Sequence, residues 1–198
     1  METVLLARHG QTEWNAEGRW QGQLDSPLTP LGLAQAATVA RLVADQQVDA
    51  MFSSPLGRAL STARVCGEQL QLPITVLDEL AEIHHGQMAG MTPAEMARAF
   101  PEEPGRRAAD KYRWRFPGGE SYQDAEARAA QALATIDVSG ARRPLIVAHE
   151  MINRMLLGHL LRLDIATALA GGHAQGVVHR IDVATGEVTE LRETANAP

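Results

Sequence analysis

Apolar residues along this chain fall into short continuous runs, separated by longer stretches in which they recur every three or four positions. The runs at Val4–Ala7, Val48–Phe52, Ile74–Leu77 and Pro144–Ala148 predict four short strands. Helical spacing predicts helices from Pro30 to about Asp45, from about Leu56 to Leu70, from Ser121 to about Ile136 and from Met151 to Leu161, with a short helical turn near Ala166. Thr29 ahead of Pro30, and Ser121 ahead of Tyr122, supply side chains that can cap a helix start. Val177–Val183 and Val188–Leu191 pair across Ala184-Thr185-Gly186 as a terminal hairpin, whose free edge offers a homodimer contact. Strand and helix alternate over most of the length. This predicts an α/β fold of three layers, α/β/α, around a mainly parallel central sheet.

Two stretches break the alternation. Gly10 to Ser26 is too rich in glycine and glutamine for a regular element, and a loop that long is usually functional. Met91 to Gly119 is the least regular part, although Thr92-Pro93-Ala94-Glu95 has the form of a capping box. Within it, Arg106, Arg107, Arg113 and Arg115 are interleaved with Tyr112, Trp114 and Phe116. That pattern suits either a solvated excursion or a cap over a site for an anionic substrate. Residues 1–198 are therefore expected as one domain with a cap-like insertion at about 91–120, ending in a frayed tail, Glu193 to Pro198.

With 198 residues, 45% of them hydrophobic, one domain can hold a sizeable core. A net charge of −6 weighs against a nucleic-acid partner. Lys111 is the sole lysine, so the G-x-x-x-x-G-K-[ST] phosphate loop is excluded. Cys66 is the sole cysteine, which excludes an internal disulfide and a cysteine metal cluster; its helical context reads as packing. No run of eighteen apolar residues offers a membrane span, and a cytoplasmic protein is expected.

The strand ends carry the chemistry. The first ends at Arg8-His9-Gly10, the second leads to Arg58, the third to Glu82 and the fourth to His149. Ligands of open α/β sheets bind outside the carboxyl ends of the strands. In a parallel sheet these two arginines, two histidines and one carboxylate converge there from distant parts of the chain. Each alone has an ordinary structural explanation; together they suit phosphoryl transfer, which depends on positioning and electrostatic stabilisation. His9 would attack phosphorus in line, while Arg8, Arg58 and a protonated His149 neutralise the phosphoryl oxygens. Glu82, its pKa raised, would protonate the departing alcohol and then deprotonate water. No metal or other cofactor is required, because the arginines supply the charge.

These residues also form a recognisable set. Arg8-His9-Gly10-Gln11-Thr12 is followed by Asn15, Arg19, Gly22 and Asp25-x-Pro-Leu-Thr. Ser53-Ser54-Pro55-Leu56-x-Arg58-Ala59-x-x-Thr62-Ala63, Glu79-Leu80-x-Glu82-Ile83-x-x-Gly86 and Val147-Ala148-His149 complete it. The set resembles the histidine phosphatase superfamily, also called phosphoglycerate mutase-like, over about Val4 to Arg154. The resemblance implies that fold, a phosphohistidine on His9, and phosphate binding by Arg8, Arg58 and His149. It also implies Glu82 as proton donor, with Asn15 and the Gln21-Gly22 backbone as further phosphate contacts.

One departure stands out. Where the family commonly has glycine after the second histidine, this chain has Glu150, a carboxylate that would repel phosphate unless turned away. His149-Glu150 does not begin a zinc-protease H-E-x-x-H motif, because Asn153 stands at the second histidine position. His84 and His85 are adjacent and diverge on any regular element, which favours substrate contact or loop packing over metal binding; His159, His173 and His179 read as structural. The expected function is a metal-independent phosphomonoesterase acting on a small phosphorylated metabolite such as a sugar phosphate, a phosphoglycerate derivative or α-ribazole phosphate. The alternatives are a cofactor-dependent phosphoglycerate mutase, which the Arg106-Arg107 pair keeps open, and a non-catalytic phosphate-binding or interaction module.

Overall fold

The computed structural model describes residues 1–193. Its strands are β1 (Thr3–Arg8), β2 (Ala50–Ser53), β3 (Ile74–Val76), β4 (Pro144–Ala148), β5 (Val178–Asp182) and β6 (Val188–Leu191). They form one sheet in the order β3-β2-β4-β1-β5-β6. The first four in that order run parallel, and β5 and β6 add an antiparallel edge. The helices are α1 (Glu13–Ala16), α2 (Pro30–Val43), α3 (Gly57–Leu70), α4 (Pro93–Ala99), α5 (Glu103–Ala109), α6 (Tyr122–Val138), α7 (Glu150–Leu161) and α8 (Ile165–Ala170).

The layers follow from the two-residue period of β1. Leu5 and Ala7 pack with Val39 and Ala40 of α2 and Ala59 and Ala63 of α3. Val4 and Leu6 face the other way, against Ala125 and Ala129 of α6 and Ile152 and Met155 of α7. Both faces of the sheet are therefore buried, as its near-continuous apolar strands require. Small alanines on α2, α3 and α6 let these helices lie close to the strands. Cys66 is buried on α3, where burial pushes its thiol up to about 12, so it packs as a neutral hydrophobe.

Two irregular stretches turn out to be structured. In the Gly10–Ser26 loop, Thr12 and Asn15 form a reciprocal capping box that starts the one-turn helix α1. Asparagine at the third helical position, in place of the usual Glu or Gln, hides that signal. The segment after Met91 holds α4, started by the Thr92–Glu95 capping box, and α5. Met96, Trp114 and Phe116 of this segment lie in the same buried cluster as Val4 and Leu6. Anchors that deep contradict a solvated excursion. At the other end, Glu193 is tied back to α2, accepting from Arg41 Nε at 2.7 Å, while the rest of the expected frayed tail lies outside the described residues.

The turn after β1 depends on two glycines. A Cβ on Gly10 would stand 2.2 Å from the carbonyl oxygen of Gly32, and one on Gly32 would stand 2.0 Å from that of Gln11. Backbone meets backbone there, and Thr29 N–H donates to Gln11 O at 2.9 Å across the junction. Gly10→Ala must push α2 away from the end of β1. The expected cost is about 3 kcal/mol, or a fall in Tm of roughly 6–12 °C by thermal denaturation. An unchanged Tm would show that the junction yields freely.

Candidate active site

The site begins where the parallel ladder runs out. His9 N–H donates to Ala148 O at 3.0 Å, and Ser54 N–H donates to Val147 O at 3.1 Å. These bonds carry the sheet one step past β1 and β2 on either side of β4, so His9 and Ser54 flank His149. The two imidazole centroids lie 5.2 Å apart. Gly10 N–H donates to Thr62 Oγ1 at 3.0 Å, and that hydroxyl donates to Arg58 O, so α3 holds the turn in place.

Hydrogen bonding sets the tautomer of His9. Its Nδ1 lies 2.8 Å from Gly10 O and must carry the proton to donate there. Nε2 then holds the lone pair, and Arg58 Nε donates toward it at 3.3 Å. Burial, then Arg58 and Arg8, hold the imidazole well below its ordinary pKa, so it is neutral and nucleophilic at neutral pH.

His149 carries no anionic partner in the open site. Burial first, then Arg58, His9 and Arg8, hold it well below its ordinary pKa, which makes it neutral rather than an imidazolium in the open site. Its Nε2 is 2.7 Å from Ser54 Oγ, and its buried Nδ1 has no partner. With Ser54 donating to Nε2, the Nδ1–H is a free donor beside His9. His149 sits behind the open cleft rather than lining it.

Arg58 is 2% exposed and nearly fully bonded. Nη2 donates to Gly22 O at 2.7 Å, and Nη1 donates to Leu24 O at 2.7 Å and to Asp25 Oδ1 at 3.0 Å. Burial lowers its pKa, yet a guanidinium stays charged. Glu82 follows β3 through a short 3-10 turn, Asp78–Leu80, and its carboxylate accepts from Ile83 N–H at 3.0 Å and Met151 N–H at 3.3 Å. Burial raises its pKa against the opposing pull of those bonds and of Arg58 and Arg8. Arg128 of α6, which the sequence did not point to, donates to Glu79 O and Ala81 O at 2.8 and 2.9 Å and so fixes this segment.

A cleft of about 300 Å³, lined by Arg8, His9, Asn15, Gln21, Gly22, Arg58, Glu82 and Glu150, collects every other sequence-predicted site residue. The Gln21 side chain donates to Thr12 Oγ1 and accepts from Ser26 Oγ, whereas no bond within the described residues uses the backbone N–H groups of Gln21 and Gly22. Gly22 has a φ of +56°, and a Cβ there would meet His85 N at 2.9 Å, so a side chain is excluded where that backbone faces the cleft. Asn15 accepts at Oδ1 from Thr12 N–H and Gln175 Nε2, leaving its Nδ2 uncommitted.

Glu150 is not turned away from the cationic groups. It is ion-paired with Arg8 Nη1 at 2.8 Å and with Arg154, so two guanidinium groups offset its charge. Arg8 Nη1 also donates to His173 O at 3.2 Å, while its buried Nε has no partner. His173, stacked on His179 at 4.0 Å, thus supports Arg8 through its backbone. His85 lines the cleft between Trp20 and Phe116, and burial lowers its pKa to about 4. The cleft also takes in Lys111 and Arg154, which no local pattern singled out. Among the described residues no three His, Cys, Asp or Glu side chains converge as a metal site, and no helix is long and apolar enough to cross a membrane.

The family model of the histidine phosphatase superfamily (branch 1) matches residues 4–196. Glucosyl-3-phosphoglycerate phosphatase of Mycolicibacterium vanbaalenii is 37% identical over 172 residues, covering 82% of this chain and 75% of that protein. A probable phosphoglycerate mutase of Yersinia pestis is 36% identical over 169 residues, covering 82% of this chain and 76% of that protein. Among solved structures, a putative α-ribazole-5'-P phosphatase of Escherichia coli superposes with a TM-score of 0.88 over 99% of this chain and 97% of that one. At 24% identity, that likeness speaks for the fold.

Proposed function

The chain belongs to the histidine phosphatase superfamily (branch 1), and we propose that it hydrolyses a small phosphorylated metabolite through transient phosphorylation of His9. The observation that carries this reading is the His9 imidazole itself. Its proton is committed at Nδ1 to Gly10 O, and its Nε2 lone pair lies beside Arg58. The phosphoryl group would rest against Nε2, held by Arg8, the remaining Arg58 N–H, the Gln21 and Gly22 N–H groups and Asn15 Nδ2. His149 would donate Nδ1–H to a phosphoryl oxygen; a bound dianion next to it would raise its pKa and favour the imidazolium as charge moves.

In the first step the His9 Nε2–P bond forms as the P–O bond to the alcohol breaks, and Glu82 gives its proton to the leaving oxygen. In the second, Glu82 takes a proton from water, whose oxygen attacks phosphorus and releases His9 and inorganic phosphate. Segment 91–120 serves as the cap-like wall of the cleft. The arginines carry the electrostatic work, so hydrolysis of phosphomonoesters is expected to persist in EDTA. Release of inorganic phosphate from 3-phosphoglycerate without bisphosphoglycerate priming supports hydrolysis; conversion to 2-phosphoglycerate that needs priming would support a mutase instead.

The Glu150–Arg8 pair adds a prediction. Incoming phosphate competes with this carboxylate for Arg8. Glu150→Gln is expected to tighten inhibition by inorganic phosphate several-fold, about 1 kcal/mol for a partly exposed pair. A weaker inhibition constant would mean that Glu150 is needed to aim Arg8.

A further inference from the structure

Asn15 offers Nδ2 to a bound phosphate only while its amide faces one way. The terminal torsion of an asparagine is broad and roughly two-fold, so the torsion itself does not choose which end faces the cleft. Two donors choose it here. Asn15 Oδ1 accepts from Thr12 N–H at 3.1 Å and from Gln175 Nε2 at 2.9 Å. Turning the Asn15 amide over sets its NH2 against both donors; turning both amides over keeps their mutual bond but strands the N–H of buried Thr12. The Thr12 bond is local, part of the capping box of α1, whereas Gln175 reaches in from 160 positions away. A single hydrogen bond lets the amide plane swivel about it, and a second from another part of the fold stops that motion.

Gln175 is held in turn by the connection between α8 and β5. Gly176, in the left-handed region at φ +74°, turns the chain immediately after it. Before it, His173 is buried and braced through its ring. Asn153 Nδ2 donates to His173 Nδ1 at 3.2 Å, so His173 Nε2 carries the proton and donates to Val177 O at 3.3 Å. Burial first, then His179, lowers the His173 pKa to about 3, which keeps Nδ1 an acceptor. Asn153 also donates to Ala7 O at 3.1 Å, which ties the brace to β1 next to Arg8. Segment 173–177 thus bonds to two groups that line the cleft, Arg8 through the His173 carbonyl and Asn15 through the Gln175 side chain. Neither His173 nor Gln175 lines the cleft itself.

We propose that Gln175 is a positioning residue for phosphate binding, which holds Asn15 Oδ1 from behind the cleft and so keeps Asn15 Nδ2 aimed at the phosphoryl oxygens. This rests on the phosphomonoesterase reading above and gives a role in it to a residue outside the cleft. Without Gln175 the Asn15 amide is aimed for only part of the time, and phosphate affinity falls in proportion to that fraction.

Binding of inorganic phosphate, measured by titration calorimetry, needs no turnover and isolates the effect. Gln175→Met keeps the length of the side chain and removes its donor. It is expected to weaken phosphate about fivefold, the scale of one hydrogen bond, with Tm within about 2 °C of wild type. Asn15→Ala is expected to weaken phosphate at least as much. Adding Gln175→Met to Asn15→Ala is expected to cost no more than about twofold further, because the two side chains act as one unit. In nitrogen-correlated NMR spectra, the side-chain NH2 signals that Asn15→Ala removes are expected to shift with phosphate in the wild type and to shift much less in Gln175→Met. Unchanged phosphate affinity in Gln175→Met, or losses that add in full in the double variant, overturns the positioning role and leaves the His9 mechanism standing. Failure of the wild type to hydrolyse nitrophenyl phosphate, with these binding results intact, overturns the phosphomonoesterase reading instead.

Discussion

His9→Ala is expected to abolish turnover of every phosphomonoester, with losses on the order of 10⁴-fold or more, the scale seen when a covalent nucleophile is removed. The size of the loss follows from the geometry, because no other group can take the phosphoryl in line. His149 stands 5.2 Å away, ring centre to ring centre, but its Nε2 is engaged by Ser54 Oγ. Glu82 is held by two backbone N–H groups. The fold should survive, since His9 holds its place chiefly through its own main-chain N–H on Ala148 O. Steady-state kinetics on nitrophenyl phosphate, with Tm measured alongside, checks this. Residual activity within tenfold of wild type would remove His9 from the mechanism.

The second large effect depends on the leaving group. Glu82→Gln keeps the shape of the side chain and can still accept a backbone N–H, but it cannot give up a proton. On alkyl phosphates, whose alkoxide leaves poorly unprotonated, kcat is expected to fall ~10²–10³-fold. On nitrophenyl phosphate, whose phenolate needs little help, the loss should stay within about tenfold. The pH dependence gives an independent check. Burial raises the pKa of Glu82, so its protonated form persists above the ordinary carboxylate range and is lost as pH rises through the raised value. The wild-type kcat/KM on an alkyl phosphate should therefore fall on the alkaline side, and Glu82→Gln should lack that limb. Equal losses on both substrates, or a retained limb, would place the acid elsewhere.

Much of this site was legible because it sits where strands end. Apolar runs that stop at Arg8-His9 and His149 mark the parallel strands β1 and β4, and a parallel sheet must bring such ends to one edge. Arg58 was legible for a related reason, lying in the first turn of the helix that follows β2. Capping side chains marked the starts of α2, α4 and α6 in the sequence itself, because the hydrogen bonds are local. What escaped depends on long-range side-chain encounters. The pairing of Glu150 with Arg8 links α7 to β1, 142 positions apart in Glu150 and Arg8 numbering, and no period in the sequence encodes it. The same holds for Arg128 on the carbonyls of the Glu79–Ala81 turn and for the His173 carbonyl on Arg8. How fully the His149 ring is desolvated, and how closely the arginines surround it, shows only in the folded structure. Among the arginines of segment 91–120, only packing distinguishes Arg107, which faces the cleft, from neighbours that meet acids outside it.

The claim on which all of this rests is that the phosphoryl group spends part of each cycle on Nε2 of His9. Rapid acid-free quenching of the protein during turnover of a phosphomonoester, followed by mass spectrometry of the alkali-stable phosphopeptides, measures it directly. Phosphate is expected on the peptide containing His9, formed at the pace of turnover and lost when substrate is exhausted. Phosphate on another residue, or turnover with no labelled peptide even when hydrolysis of the intermediate is slowed by Glu82→Gln, would contradict it.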